Sequence, residues 1–102
     1  EERLMGAGTA LASCGIAYAM RYVRAAMEGG IELGFPARQS LEIVLQTVSG
    51  AVAMLAESGE HPEVAIDRVT TAGGITIKGL NAMERNGFSA SVIEGLKASV
   101  TK

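Results

Sequence analysis

The feature that most constrains the fold is a long run of apolar side chains at helical spacing in the middle of the chain. It consists of Leu41, Val44, Leu45, Val48, Val52 and Leu55. Because side chains three, four and seven positions apart share one face of an α-helix, the run predicts a helix with a continuous apolar face. Pro36 before the run suits a first helical turn, and Gly59 after it is a typical stop. Such a face needs a second surface to pack against.

Helical spacing and turn residues predict further helices on both sides of this one. The predicted segments are 15–33 with a short helical turn over 3–11 before it, 36–58, 62–69, 75–86, and a last helix that starts around Ser89. His61 can cap the third helix, where Pro62 supplies a fixed φ. Val92, Ile93, Leu96 and Val100 are expected to face inward from the last helix. No segment alternates as a strand does, so the expected fold class is all-α, a single-domain bundle of about five helices.

The helix predicted over 15–33 also carries a face of small residues. These are Gly15, Ala19, Ala26 and Gly30. They let another backbone lie close, although each glycine inside a helix costs roughly 1 kcal/mol of helix propensity. With 102 residues and 4% aromatic side chains, one chain can bury only a modest core. We therefore expect a homodimer with an extensive apolar interface, alone or within a higher oligomer of dimers.

Charge and cysteine content argue against several classes of function. The formal net charge is −2 and there is no basic block, so nucleic-acid binding is not expected. Cys14 and His61 are single residues of their kinds, which excludes a disulfide framework and a self-contained Cys/His metal site. Cys14 is expected to be a small packing residue, and a reduced, cytoplasmic location fits this content best.

Two segments near the start of the chain partly match a membrane-span or cofactor-binding pattern. Residues 4–20 are uncharged but rich in small residues rather than Leu or Ile, so a membrane span is not expected. The "GAG" at Gly6 to Gly8 follows no strand, and Leu11 replaces the third glycine of a dinucleotide motif, so no cofactor-binding residue is expected here. Because the chain begins with Glu rather than Met, we expect it to be part of a longer protein.

The segment "VTTAGGITIKGL" is the strongest candidate for a binding site. Gly73 and Gly74 stand just before a helix that starts near Ile75 or Thr76. A helix N-terminus exposes backbone N–H groups at its positive end, where a carboxylate or phosphate can bind. Hydroxyls of Thr70, Thr71 and Thr76 surround this point. The alternative is a simple connecting turn in which Thr76 is the N-cap of the helix.

Several motifs in order along the whole chain resemble the pyrroline-5-carboxylate reductase family. Its helical C-terminal domain carries V-x-S-P-G-G-x-T, which Val69, Gly73, Gly74 and Thr76 match in register. Further matches are "TAL" from Thr9, G-x-A-Y from Gly15, "LG" at Leu33, "QTVSGA" from Gln46, "EHP" from Glu60 and the tail "GFSASVIEGLKAS". The resemblance identifies residues 1–102 as the C-terminal helical dimerisation and substrate-binding domain, without the N-terminal Rossmann domain. In the family this helical domain forms an interlocked dimer.

This resemblance implies an oxidoreductase of proline biosynthesis, divided between two domains. In the family the Rossmann domain binds NADPH or NADH, and hydride passes to the C=N carbon of 1-pyrroline-5-carboxylate to give L-proline. The implied substrate-binding residues are Thr71, Gly73, Gly74, Ile75 and Thr76. Thr76 is the implied catalytic residue, with its hydroxyl on the ring nitrogen. The fragment alone is expected to be inactive and to hold no cofactor.

The chain departs from the family pattern inside its motifs. Ile16 and Ala72 stand where the family has proline, and Ile75 replaces a smaller residue. These departures keep a related imine reductase, acting on another cyclic imine, as an alternative. A helical dimerisation module without a catalytic role is a second alternative, in which the glycine segment is only a turn.

Overall fold

The computed structural model describes residues 2–100, and all regular structure in that part is helical. The elements are α1 (Glu2–Thr9), a π-helical segment (Ala10–Cys14), α2 (Gly15–Glu32), α3 (Ala37–Ser58), α4 (Pro62–Arg68), α5 (Ile75–Arg85) and α6 (Phe88–Ala98). The first three follow one another without a break and form one helical rod. The described chain therefore has five rods, which confirms the predicted all-α bundle of about five helices.

The turn residues place most helix ends where the sequence predicts them. Gly59 ends α3 with a φ of +67°, a left-handed conformation that L side chains rarely adopt. At the start of α4 the Nδ1 atom of His61 accepts the N–H of Glu63 at 3.1 Å, so His61 is the predicted cap. Gly87 (φ +84°) separates α5 from α6.

Several predicted details are wrong by one or a few residues. The segment before Gly15 is a continuous helix rather than a short separate turn, because no breaker lies between Thr9 and Gly15. Pro36 has a ψ of 149° and stands at the N-cap, just outside α3. The helix predicted to begin around Ser89 begins at Phe88, since Gly87 already makes the turn.

The closest contact between helices joins α2 and α3. Ser40 is 2% exposed, and its hydroxyl donates to the carbonyl of Met27 at 2.8 Å. A Cβ at Gly30 would overlap the Ser40 Oγ and lie 3.2 Å from the Ser40 Cβ. Gly30 is thus the point at which the predicted small-residue face admits another backbone. By contrast, no atom outside its own helix backbone lies within 4 Å of the Cβ position of Gly29.

The C-terminal helix α6 is held against α2 by polar and aromatic contacts. The Tyr18 hydroxyl forms a hydrogen bond with the Ser99 hydroxyl and donates to the carbonyl of Gly95 at 3.4 Å. The rings of Tyr22 and Phe88 meet edge to face, with centroids 6.2 Å apart. These contacts hold the last helix against the first half of α2.

One chain leaves most of its apolar surface exposed. Among the described residues only Ala10 and Ser40 are buried. Val92, Ile93 and Val100 are 43%, 55% and 48% exposed, so the prediction that they face inward is wrong for the single chain. Its radius of gyration is 15.6 Å, against about 13 Å for a compact domain of this length. The apolar faces predicted from the sequence are present, but this chain alone does not cover them.

The helix α3 is the clearest case of an uncovered apolar face. In residues 2–100 it is the helix that is long and apolar enough to cross a membrane, judged by length and composition. Leu45, Val52 and Met54 are each at least half exposed along it. A helix that is covered by other parts of a soluble protein passes the same test, so length and composition alone do not separate it from a membrane span.

Candidate functional site

The glycine segment between α4 and α5 begins with a closed helix end. The hydroxyl of Thr70 donates to the Ile66 carbonyl at 2.6 Å, and its N–H donates to the Asp67 carbonyl at 3.2 Å. Both groups therefore satisfy acceptors at the end of α4. The Thr70 hydroxyl thus has its donor in use within the chain, and only its acceptor lone pairs are left for a ligand.

Residues Thr71 to Gly74 form a tight turn that requires both glycines, each for its own reason. Gly73 has a φ of +72°, where a Cβ is strained. The N–H of Gly74 donates to the Thr71 carbonyl at 3.1 Å and closes the turn. A Cβ on Gly74 would overlap the Thr71 Oγ1 and lie 3.2 Å from the Thr71 carbonyl oxygen. The turn therefore brings Thr71 directly against the start of α5.

The first N–H groups of α5 are open to a ligand. Gly74 is the N-cap of this helix, has no side chain and leaves the helix without a side-chain cap. The N–H groups of Ile75, Thr76 and Ile77, in the first turn of the helix, have no intrahelical acceptor. The Gly74 N–H, by contrast, is used within the turn. The candidate anion site thus uses donors from Ile75 onward rather than the N–H of Gly74.

Thr76 is the second residue of α5 and is exposed. Its hydroxyl forms no hydrogen bond with any part of the chain that the structure describes. The alternative in which Thr76 caps the helix is wrong, because Gly74 already occupies the N-cap with an extended ψ of −178°. The hydroxyl is therefore free to bind a ligand held at the same helix end.

Ile75 and Thr71 complete the set of predicted site residues. Ile75 is the first residue of α5, and its side chain is 85% exposed. Thr71 is also exposed. All five predicted residues lie within one turn and the first helical turn after it. The structure therefore brings together Thr71, Gly73, Gly74, Ile75 and Thr76.

A comparison with the neighbouring helix shows what is particular to α5. The N-terminus of α4 is filled by the His61 ring and has Glu63 in its first turn. No acidic residue stands in the first turn of α5, where Lys78 follows the three open donors. Both differences favour a negatively charged ligand at α5 and disfavour one at α4.

In the single chain the site is not enclosed. A cleft of about 610 Å³ lies beside it, between α4 and the pair α5 and α6. Its lining includes Glu63, Asp67 and Glu84, and none of the predicted site residues. Those carboxylates would repel an anion. A ligand at the start of α5 is therefore open to solvent unless a second domain or subunit covers it.

The described residues contain no group of three or more His, Cys, Asp and Glu side chains placed to hold a metal ion. One element that the sequence did not reveal is the π-helical segment Ala10–Cys14, which joins α1 to α2. Its signal is absent from the apolar spacing, because the small residues there carry almost no periodicity. Cys14, at its end, is partly exposed and is a free thiol.

Comparison with known proteins places the chain beside one group of enzymes. A family model described as pyrroline-5-carboxylate reductase dimerisation matches residues 2–102. Pyrroline-5-carboxylate reductase 1 of Dictyostelium discoideum is 49% identical over 102 residues, which is all of this chain and 18% of that protein. Pyrroline-5-carboxylate reductase 2 of the same organism is 46% identical over 101 residues, 99% of this chain and 34% of that protein.

A more distant relative and a solved structure have the same family name as these matches. Pyrroline-5-carboxylate reductase of Arabidopsis thaliana is 34% identical over 102 residues, covering 100% of this chain and 37% of that protein. The crystal structure of Plasmodium falciparum pyrroline carboxylate reductase with NADP bound superposes with a TM-score of 0.93 at 31% identity. The match covers 98% of this chain and 40% of that one. The chain spans well under half the length of each of these proteins.

Proposed function

The chain belongs to the pyrroline-5-carboxylate reductase dimerisation family, and on that premise we propose that it is the dimerisation and substrate-binding domain of a pyrroline-5-carboxylate reductase. The proposed whole protein reduces 1-pyrroline-5-carboxylate to L-proline with NADPH or NADH. In that reaction a hydride adds to the C=N carbon and the nitrogen becomes a protonated amine. The observation that carries the proposal is the uncapped N-terminus of α5 with the unpartnered Thr76 hydroxyl beside it.

We assign the substrate carboxylate to the open end of α5. The N–H groups of Ile75, Thr76 and Ile77 converge there, and the helix dipole favours a negative group. Gly73 has no atom within 4 Å of its Cβ position, so the carboxylate can approach the turn there, while Gly74 makes room for the Thr71 side chain. The Thr71 hydroxyl borders the same space. These groups bind and orient the substrate without taking part in bond making.

We assign the ring nitrogen to the Thr76 hydroxyl. A hydroxyl can donate one hydrogen bond and accept others, so it suits a nitrogen whose charge and protonation change during reduction. A group that holds the nitrogen also fixes the face of the C=N bond that is presented to the hydride donor. Thr76 is therefore the catalytic residue of this chain in the proposal.

The described residues do not form a Rossmann dinucleotide site. Such a site holds the pyrophosphate with a strand, a glycine turn and a helix, and residues 2–100 include no strand. We therefore place the cofactor on a separate N-terminal Rossmann domain. When bound, it supplies the hydride, while this chain supplies the carboxylate and nitrogen contacts.

We propose that the assembled unit is a homodimer, alone or as the building block of a larger oligomer, located in the cytoplasm. The accessible surface of one chain is 8102 Å², against about 5,400 Å² for a compact monomer of its mass. The substrate site is open on one side, which also favours a second subunit or domain that covers it. The free thiol of Cys14 is consistent with a reducing compartment.

The test begins with the sequence that precedes residue 1 in the gene, where we expect a G-x-G-x-x-G unit after a strand. The protein encoded with that sequence should oxidise NADPH or NADH when 1-pyrroline-5-carboxylate is added, with L-proline as the product. Failure to reduce this imine while reducing another cyclic imine would favour the related imine reductase. Failure with every imine, together with intact dimers, would favour the non-catalytic module.

The isolated chain of residues 1–102 provides a second test. It should neither turn over the imine nor bind NADPH with micromolar affinity, because the pyrophosphate site is on the other domain. Isothermal titration calorimetry measures the affinity directly. Micromolar binding of NADPH to the isolated chain would contradict the proposed division between domains.

A further inference from the structure

The turn between α5 and α6 contains an Asn-Gly pair, Asn86 and Gly87, that the proposed function does not use. In such a pair the main-chain nitrogen of the glycine can attack the side-chain amide of the asparagine, because no Cβ on the glycine crowds that nitrogen. The chain has one other asparagine, Asn81, which is followed by Ala82 within α5. The pair at 86–87 is therefore the place where this reaction is sterically easiest.

The reaction exchanges one amide bond for another and then hydrolyses the product. The Gly87 nitrogen forms a bond to Cγ of Asn86, the Cγ–Nδ2 bond breaks, and the proton of the Gly87 nitrogen leaves with Nδ2 as ammonia. Water then opens the five-membered imide at one of its two carbonyls. The products are aspartate, or isoaspartate in which the main chain runs through Cγ. Water is the co-reactant, and neither an oxidant nor a reductant is needed.

In the folded chain both reacting groups are held by hydrogen bonds. The Gly87 N–H donates to the Glu84 carbonyl at 2.9 Å, and Nδ2 of Asn86 donates to the Ala82 carbonyl at 2.8 Å. Attack requires the Gly87 nitrogen to lose its proton and the Asn86 amide to turn toward it, which breaks both hydrogen bonds. Asn86 is exposed, so solvent reaches the pair. The conformation of the turn, rather than burial, protects it.

We propose that Asn86 is a deamidation site that the turn between α5 and α6 keeps closed, so that the modification marks molecules in which this turn has opened. A segment with few buried contacts opens locally at a lower free energy than the whole chain unfolds. The start of α6 is such a segment, because Phe88 is 39% exposed and the N-cap Gly87 has no side chain. The Glu84 carboxylate joins it to α5 by accepting the N–H and the hydroxyl of Ser89, at 3.2 and 2.5 Å.

The modification changes the turn permanently. Deamidation replaces the Nδ2 donor at the Ala82 carbonyl with a carboxylate, at the negative end of the α5 dipole. Isoaspartate also adds one methylene to the main chain between α5 and α6. Both changes displace Phe88, whose ring lies against that of Tyr22 in α2. A chain that has reacted once therefore holds α6 less firmly against α2.

The experiment incubates the complete protein in mildly alkaline buffer, folded in one sample and unfolded in guanidinium chloride in the other. Trypsin cleaves after lysine and arginine, so Asn86 lies in peptide 86–97 and Asn81 in peptide 79–85. Mass spectrometry measures the fraction of each peptide that has gained one mass unit. Asn86 should react roughly tenfold or more slowly in the folded than in the unfolded protein, because two hydrogen bonds must break first. Asn81 should react slowly in both samples.

A matched pair of variants tests whether the turn is what protects Asn86. Glu84→Ala removes the carboxylate that holds Ser89 but keeps the main-chain carbonyl, so the ratio of the folded to the unfolded rate should rise about threefold or more. Glu94→Ala is the control, because it removes a carboxylate of α6 that pairs with Lys97 at 3.3 Å, away from the turn. That variant should keep the wild-type ratio. Circular dichroism checks that each variant is folded, and Ser89→Ala replaces Glu84→Ala if the latter is not.

Equal rates in the folded and the unfolded protein would overturn the inference, because the turn then gives no protection. The inference also fails if Asn86 reacts no faster than Asn81 in the unfolded protein, because the pair is then not the reactive site. An unchanged ratio in Glu84→Ala, or the same rise in Glu94→Ala, contradicts protection by this turn. None of these outcomes depends on the reduction of an imine, so they do not bear on the proposed function.

Discussion

At the scale of single residues, the threonines of this chain divide according to where their hydroxyls bond. Thr9, Thr47 and Thr70 each donate to the carbonyl four residues earlier, at 3.1, 2.8 and 2.6 Å. Thr76 is the second residue of its helix, so the residue four positions before it, Ala72, lies in the turn and offers no helical carbonyl. Its hydroxyl is left for a ligand because of its position in the helix.

We predict that Thr76→Ala in the complete enzyme lowers kcat/KM for the imine by roughly 10²–10³, the scale of losing one well-placed polar group in an active site. Thr76→Ser should keep much of the activity because it keeps the hydroxyl. Since Thr76 is not a helix cap, the melting temperature of Thr76→Ala should stay near that of the wild type. Steady-state kinetics and thermal unfolding of both variants check this. Near wild-type kcat/KM with a melting temperature several degrees lower would show a structural role instead.

Gly74 makes a second residue-scale prediction. A Cβ at this position would overlap Thr71, so Gly74→Ala should displace the turn and weaken substrate binding, with KM for the imine rising roughly tenfold, or about 1.4 kcal/mol. Gly79→Ala is the control, because that glycine lies within α5 and no atom outside its own helix backbone lies within 4 Å of its Cβ position. The control should keep the wild-type KM. An unchanged KM in Gly74→Ala would show that the turn is not part of the substrate site.

At the scale of elements, the helix ends were predictable where one residue makes the turn by itself. Gly59 and Gly87 have positive φ, and His61 caps α4 with its own ring. The start of α5 was less determined, because either Gly74 or Thr76 fits an N-cap by residue type and the choice depends on the backbone of the whole turn. The π-helical segment was not predictable, since one extra residue in a run of small side chains leaves no mark on apolar spacing.

The α2 and α3 pair gives the element-scale prediction. From the sequence alone, Gly29 and Gly30 have the same unfavourable helix propensity. In the structure, only Gly30 lies against Ser40. We expect Gly30→Ala to lower the free energy of unfolding by about 1–3 kcal/mol through overpacking. Gly29→Ala should raise it by up to about 1 kcal/mol through helix propensity. Urea unfolding at one fixed protein concentration measures both. Equal effects of the two variants would contradict the close approach of α2 and α3 at Gly30.

At the scale of the whole molecule, the faces of the helices were predictable but their partners were not. Apolar spacing identifies the sides of α3 and α6 that avoid water, and several residues on them are exposed in one chain, such as Val52 at 61% and Ile93 at 55%. Spacing carries no information on whether the covering surface belongs to the same chain or to another. The expectation that α6 faces inward is wrong for the single chain for that reason. The expectation of a dimer rests on the same apolar faces.

The size of the uncovered surface makes the last prediction quantitative. The chain exposes about 2,700 Å² more than a compact monomer of its mass, whereas a standard interface buries about 800 Å² on each partner. Light scattering in detergent-free buffer at micromolar concentration should therefore give twice the 10.5 kDa mass of the chain, or a multiple of that. Val52→Asp places a charge on the exposed apolar face of α3 and should shift the protein toward unfolded or aggregated monomer, because burying an unpaired carboxylate is costly. Gln39→Asp, at an exposed polar position of the same helix, should remain dimeric. A folded monomer of the wild type at this concentration, or a chain that enters solution only with lipid or detergent, would contradict the prediction.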